Sequence, residues 1–196
     1  MAPAARYHGN ARLRGSDRQH RIRVDAAGAR ARRPKGAPAL PPVPFVPFAP
    51  FAPFAGKTLR GEWSEPDGKT VVDVARWEKI LGGRAMESTH RIEGSTYGGK
   101  TIIFWDEAAK KYVFHYFTTG GFHTVGEMTL KDGVLESIEQ VEGHPTVKAV
   151  RARSSLGPDR FVVEVTYIAK DGAETAMSPR VYLPVDAPPP TFSDGQ

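Results

Sequence analysis

Four histidines, His90, His115, His123 and His144, fall in a part of the chain rich in Val, Ile, Thr, Tyr and Phe. An imidazole in such surroundings can ligate a metal, hold haem iron by one axial bond, or move a proton. A metal site needs several ligands on one face at short spacing. His115 and His123 flank one hairpin, and its turn decides their relation. A two-residue turn at Gly120-Gly121 pairs Thr118 with His123 and sets the two imidazoles on opposite faces. A three-residue turn pairs Phe117 with His123 and sets them on the same face. The two-residue form is the commoner one, so the spacing predicts no paired metal site. No His-x-His run or carboxylate cluster takes its place. His144 sits in a Gly-His-Pro turn and is expected to face solvent. A single inward histidine then remains as a haem ligand, with His90 or His123 ahead of His115.

Proton transfer is the other chemistry these residues allow. Glu62, His90, Tyr116, His123 and Glu127 can supply an acid and a base inside a dry cavity. The chain has no Gly-x-Ser-x-Gly elbow and no dinucleotide fingerprint. Gly98-Gly99-Lys100-Thr101 lacks phosphate-loop spacing and reads as a hairpin turn. With no cysteine in 196 residues, thiolate ligands, disulfides and cysteine nucleophiles are excluded. Binding fits the residue types better than catalysis. Phe104, Phe114 and Tyr116 offer contact area to a small hydrophobic ligand, and His90 and His123 offer groups that orient it. The expectation is non-enzymatic binding of one small apolar or amphipathic molecule, with no cofactor. The alternatives are a haem-binding barrel, a small cavity enzyme of isomerase or cyclase type, and a barrel filled by its own side chains.

Short alternating runs separated by glycine turns must position these residues. The runs fall at 58–65, 71–81, 84–92, 100–105, 112–119, 122–131, 134–142, 147–156, 161–170 and 174–183. The run 71–81 also fits helical spacing, but its β-branched start and its Gly82-Gly83 turn favour a strand. Sequential strands joined by tight turns prefer antiparallel neighbours, and a long row of them closes to hide its edges. The fold class is therefore all-β, an antiparallel up-and-down barrel of about eight to ten strands over 57–184. Phe161, Val163, Val165, Tyr167 and Ala169 are expected to face inward. Runs 100–105 and 112–119 are bulky and apolar on both faces, so their outer side calls for cover. A homodimer through that wall is one such cover.

Charge divides the chain. Residues 1–40 hold nine Arg, one Lys and two Asp, leaving 17 basic and 20 acidic residues from 41 onward. The first part thus carries +8 and the rest −3, together the net +5. A mildly acidic barrel is not a specific nucleic-acid reader. Residues 1–43 are expected to be a disordered basic tail, and 185–196 a flexible C-terminus. No apolar run has transmembrane length and no apolar leader opens the chain, which predicts a cytoplasmic protein without a membrane partner. Between tail and barrel, 44–56 repeats Pro and Phe every three residues, with Phe45, Phe48, Phe51 and Phe54 on one edge of a polyproline II helix. Four solvated Phe would form an exposed stripe, so the segment is expected to strap the barrel wall or cross one open end.

The segments Phe54-Ala55-Gly56-Lys57 with Arg60-Gly61-Glu62, Arg76 to Gly83, Gly98 to Asp106 and Tyr116 to Phe122 resemble uncharacterised bacterial lipocalin-like barrels of the calycin-type superfamily. The resemblance covers roughly 54–183. It implies a barrel with a central cavity and carries no established reaction. It also implies a Gly-x-Trp on the first strand whose Trp plugs the closed end under a basic residue of the last strand. Gly61-Glu62-Trp63 and Arg180 match that pattern, although the expected register puts the Trp close after Gly56, where this chain has Leu59.

Overall fold

The structure is a computed structural model that describes residues 46–65 and 67–192; the expected basic tail, Phe45 and the last four residues lie outside them. The strands are β1 (Lys57–Ser64), β2 (Thr70–Ile80), β3 (Ala85–Ile92), β4 (Gly98–Asp106), β5 (Lys111–Thr118) and β6 (His123–Lys131). They continue as β7 (Val134–Glu142), β8 (Val147–Leu156), β9 (Phe161–Ala169), β10 (Glu174–Ala176) and β11 (Arg180–Val185). From β1 to β9 each strand pairs antiparallel with the next, β9 pairs with β11, and β11 returns to β1. The ring is closed. β10 and β11 lie end to end along β9 as two pieces of the tenth stave. The gap between them contains Pro179, which has no N–H for a ladder.

Alternation decides what enters the ring. In β2 the buried residues are Asp73, Ala75 and Trp77, two apart, so the run is a strand and its period-two set faces in. In β4 and β5 the buried residues include Ile103, Tyr112 and Phe114, while Phe104 and Phe117 are exposed.

Two turns differ from the sequence expectation. Gly98 and Gly99 are not a turn; both are buried inside β4, and the chain reverses before them, where Gly94 has a φ of 67°. The β5–β6 hairpin pairs Phe117 with His123, so its loop has three residues, not two. Gly121 takes φ 77° there, the left-handed residue that closes a three-residue loop. His115 and His123 therefore share the outer face, and Phe117 stacks between them at 6.3 and 5.9 Å.

The Pro-Phe segment is a 3-10 helix over Val46–Phe51 rather than polyproline II. Both helices have three residues per turn, so the stripe survives the change. Phe48, Phe51 and Phe54 are at most 1% exposed. Phe51 stacks on Trp77 at 5.7 Å and meets Tyr112 edge-on at 5.5 Å, while Phe54 lies 5.9 Å from Phe161. Tyr112 donates its hydroxyl hydrogen to the Pro47 carbonyl. Trp77, Tyr112 and Phe161 belong to the end of the barrel where β1 begins, so the segment plugs that end. Burial of each ring contributes about 1.5–3 kcal/mol. Leu59, where the sequence resemblance led to the expectation of a Trp, is fully buried in this plug.

Candidate functional site

The other half of the barrel is hollow. A cavity of about 730 Å³ opens where β1 ends, beyond the plug. Ten staves enclose a wider ring than the eight or so whose side chains just fill it. Inward glycines add room. A Cβ on Gly126 would come within 2.4 Å of the Phe114 ring, and one on Gly99 within 2.4 Å of the Tyr116 ring. Gly61 faces the Tyr182 ring in the same way. Each glycine lets an aromatic ring lie flat on the wall instead of projecting across the lumen.

A cluster of hydrogen-bonded polar groups surrounds Asp73 in the cavity. Asp73, on β2, is 5% exposed. It accepts a hydrogen bond from the Tyr182 hydroxyl at 2.7 Å and meets His90 Nδ1 at 2.9 Å. A carboxylate has no proton to give, so Nδ1 carries the hydrogen. The other ring nitrogen of His90, Nε2, lies 2.8 Å from the Tyr116 hydroxyl, which lies 3.0 Å from that of Tyr97. Burial raises the pKa of Tyr116 and Tyr97, and that of Tyr182 well above its ordinary value, with Asp73 adding to each. All three stay neutral hydroxyls.

Arg180 also lines the cavity. Its guanidinium lies 4.4 Å above the ring of Trp63, a cation–π contact. The expected contact of Arg180 with Trp63 is thus present, but at the hollow end and not at the plug. Arg180 Nη2 donates to Tyr167 at 3.4 Å, and Nε is buried with no hydrogen-bond partner. Further round, Glu139 on β7 accepts from the Thr124 hydroxyl. Burial raises its pKa above the ordinary glutamate value. Most of the remaining wall is apolar, with Phe114, Val150 and Val165 among its members, and Ser88 and Thr101 add hydroxyls to it.

His90, Phe114 and Tyr116 of the expected site residues line this cavity, and Phe104 and His123 do not. Phe104 is exposed on the outer face because its neighbour Ile103 takes the inward position. His123 is on the outer face and pairs with Glu142 at 3.3 Å. Of the candidate acids and bases, Glu62 pairs with Arg60 and Glu127 with Lys111 outside the barrel, so only His90 and Tyr116 share the lumen. His144 is half-buried at the mouth, edge-on to Phe122 at 5.0 Å, and its Nδ1 accepts from the Val147 amide at 3.0 Å. Among the described residues no cluster of three metal-binding side chains exists. Sequence reasoning passed over Asp73, Tyr97, Glu139 and Tyr182. Asp73 had a signal: it is the one charged residue in the inward set Val71, Asp73, Ala75, Trp77.

No family model matches the chain, and no curated protein matches it by sequence. Among solved structures, the crystal structure of Rv2717c from M. tuberculosis is similar, with a TM-score of 0.52 at 12% identity, over 70% of this chain and 96% of that one. At that identity the likeness is one of fold. Residues 57–185 thus make a closed ten-stranded antiparallel barrel, plugged at one end and hollow at the other.

Proposed function

We propose that the barrel binds one small amphipathic molecule without transforming it. Its apolar body lies along Phe114, Val150 and Val165, and its polar group meets the cluster of His90, Tyr97, Tyr116 and Arg180. The observation that carries this is the cavity of about 730 Å³, apolar over most of its wall and holding a hydrogen-bonded polar cluster around His90. That size falls within the range of small-molecule sites, about 300–1,000 Å³.

Haem binding rests on His90, whose two nitrogens are already engaged by Asp73 and Tyr116. Iron would have to displace the Tyr116 hydroxyl, so this reading is the weaker one. Hemin titration tests it: a shifted Soret band that is lost in His90→Gln would raise it above the amphiphile. The proposal includes a cytoplasmic location; among the described residues no helix is long and apolar enough to cross a membrane. The outer wall of β4 and β5, where Phe104 and Phe117 are exposed, is proposed as a homodimer surface, which elution at monomer size would count against.

Titration with the fluorescent polyene cis-parinaric acid tests the ligand reading. Saturable binding of one probe per chain is expected, with displacement by 1-octanol. Absence of saturable binding for both would contradict it.

A further inference from the structure

Resting on that reading, we infer that the cavity takes ligands with an oxygen-acceptor head group, a carboxylate first, and that such a ligand binds together with one proton taken up by His90. Two independent features of the site lead there.

The first is the direction of the hydrogen bonds. Asp73 Oδ1 fixes the hydrogen of neutral His90 on Nδ1, so Nε2 is an acceptor. The single hydroxyl hydrogen of Tyr116 is then committed to Nε2. The contact between Tyr116 and Tyr97 must in turn be donated by Tyr97. Every hydrogen in the chain points toward Asp73, and the cavity end presents only lone pairs. A proton on Nε2 reverses the whole series. Nε2 then donates to Tyr116, Tyr116 to Tyr97, and the Tyr97 hydroxyl offers its hydrogen to the lumen. One proton at His90 converts the cavity end from acceptor to donor, and no atom other than hydrogen has to move.

The second is charge. The groups around His90 come from four elements besides its own strand: Asp73 from β2 and Tyr116 from β5 touch it, Tyr97 from the loop before β4 lies edge-on to its ring, and from β11 Tyr182 reaches Asp73 while Arg180 lies over Trp63. Tyr167 from β9 reaches Arg180, and Glu65, Glu139 and His144 lie elsewhere on the wall. With Tyr97, Tyr116 and Tyr182 neutral, Asp73 and Arg180 are the opposite charges of the cluster around a neutral His90, and the carboxyl groups of Glu65 and Glu139 can add only negative charge to the wall. No ion pair to Arg180 is present among the described residues. A carboxylate drawn to the guanidinium leaves the enclosed group with one excess negative charge, which a low-dielectric cavity resists. Protonation of His90 restores the balance and supplies the donor that the new acceptor needs. A neutral alcohol adds no charge and donates to the unreversed chain, so it binds without a proton.

The test is isothermal calorimetry with sodium octanoate and with 1-octanol, each in phosphate and in Tris buffer at about pH 8, above the ordinary histidine range. The dependence of the apparent enthalpy on buffer ionisation gives the protons taken up. Uptake approaching one per octanoate and none per 1-octanol is expected. In His90→Gln that uptake disappears and octanoate affinity falls about tenfold or more, as for loss of a charge-assisted hydrogen bond, a larger fall than that of 1-octanol. Tyr116→Phe, which removes one oxygen and keeps the ring, weakens octanoate in the same direction and serves if His90→Gln does not fold. Octanoate binding without proton uptake, or with the same uptake in His90→Gln, would overturn the inference and leave the ligand reading standing. Failure of both compounds to bind would remove the ligand reading itself.

Discussion

At the end of the barrel where β1 begins, Phe48, Phe51, Phe54, Trp77, Tyr112 and Phe161 meet ring to ring. At the other end β2, β3, β5 and β11 turn Asp73, His90, Tyr116 and Arg180 toward an open lumen. β2 runs through both, with Trp77 in the plug and Asp73 in the cavity, four residues apart on one face. The contrast assigns different work to the two halves. Apolar area in the plug stabilises the ring, whereas the hydrogen bonds of the hollow half add modest stability and, on the proposed reading, fix the geometry of a ligand's head group. A binding barrel needs both, because a lumen left unfilled forgoes the packing that would otherwise hold the wall.

Substitutions that separate stability from binding sharpen this contrast. The largest effect on stability is expected in the plug: Phe51→Ala lowers the unfolding free energy by about 3–5 kcal/mol, read by chemical denaturation. A loss no larger than that of a surface substitution would break the comparison. Gly99→Ala comes next, at about 1–3 kcal/mol. Its Cβ meets the Phe117 carbonyl oxygen at 2.4 Å as well as the Tyr116 ring, so the strand must shift. Tyr116 then leaves His90, and parinaric acid binding falls with stability. Tyr116→Phe removes two hydrogen bonds from the hollow half, those to His90 and Tyr97, and is expected to cost about 0.5–1.5 kcal/mol for each, while weakening octanoate more than 1-octanol.

The smallest effect is one of pH. Burial raises the Glu139 pKa above its ordinary 4.5 in the folded protein. Between those two values the folded state holds a proton that the unfolded state has released. Stability is then fully present below the ordinary value and is lost as pH rises through the folded one. Glu139→Gln is expected to flatten that decline, measured as melting temperature against pH. An unchanged pH profile would contradict the buried position of Glu139.

The strands were legible because Val, Ile, Thr, Tyr and Phe alternate between glycine turns, and burial on one face enforces that order. The three-residue period of the Pro-Phe segment showed that its rings share an edge, but the same period belongs to two helices, and only packing against Trp77 and Tyr112 selects the 3-10 form. The face of β4 was not legible, since Ile103 and Phe104 are both apolar and either could point inward. The place of His123 hung on one loop residue, and the left-handed φ of Gly121 settles it. The polar cluster was the least legible part. Tyr182 and Asp73 are 109 residues apart, and nothing short of ring closure brings β11 beside β1 and β2. Asp73 alone announced itself, as a charge in an apolar inward set.

The central claim, that the hollow half holds a molecule, is tested most directly by native mass spectrometry of the protein purified gently from its own cells. The account expects a retained non-covalent mass that is lost on denaturation, and that is diminished when Ala152, on the cavity wall, is replaced by Trp to fill the lumen. A bare polypeptide mass from those cells, with no mass gained after incubation with octanoate or 1-octanol, would contradict it.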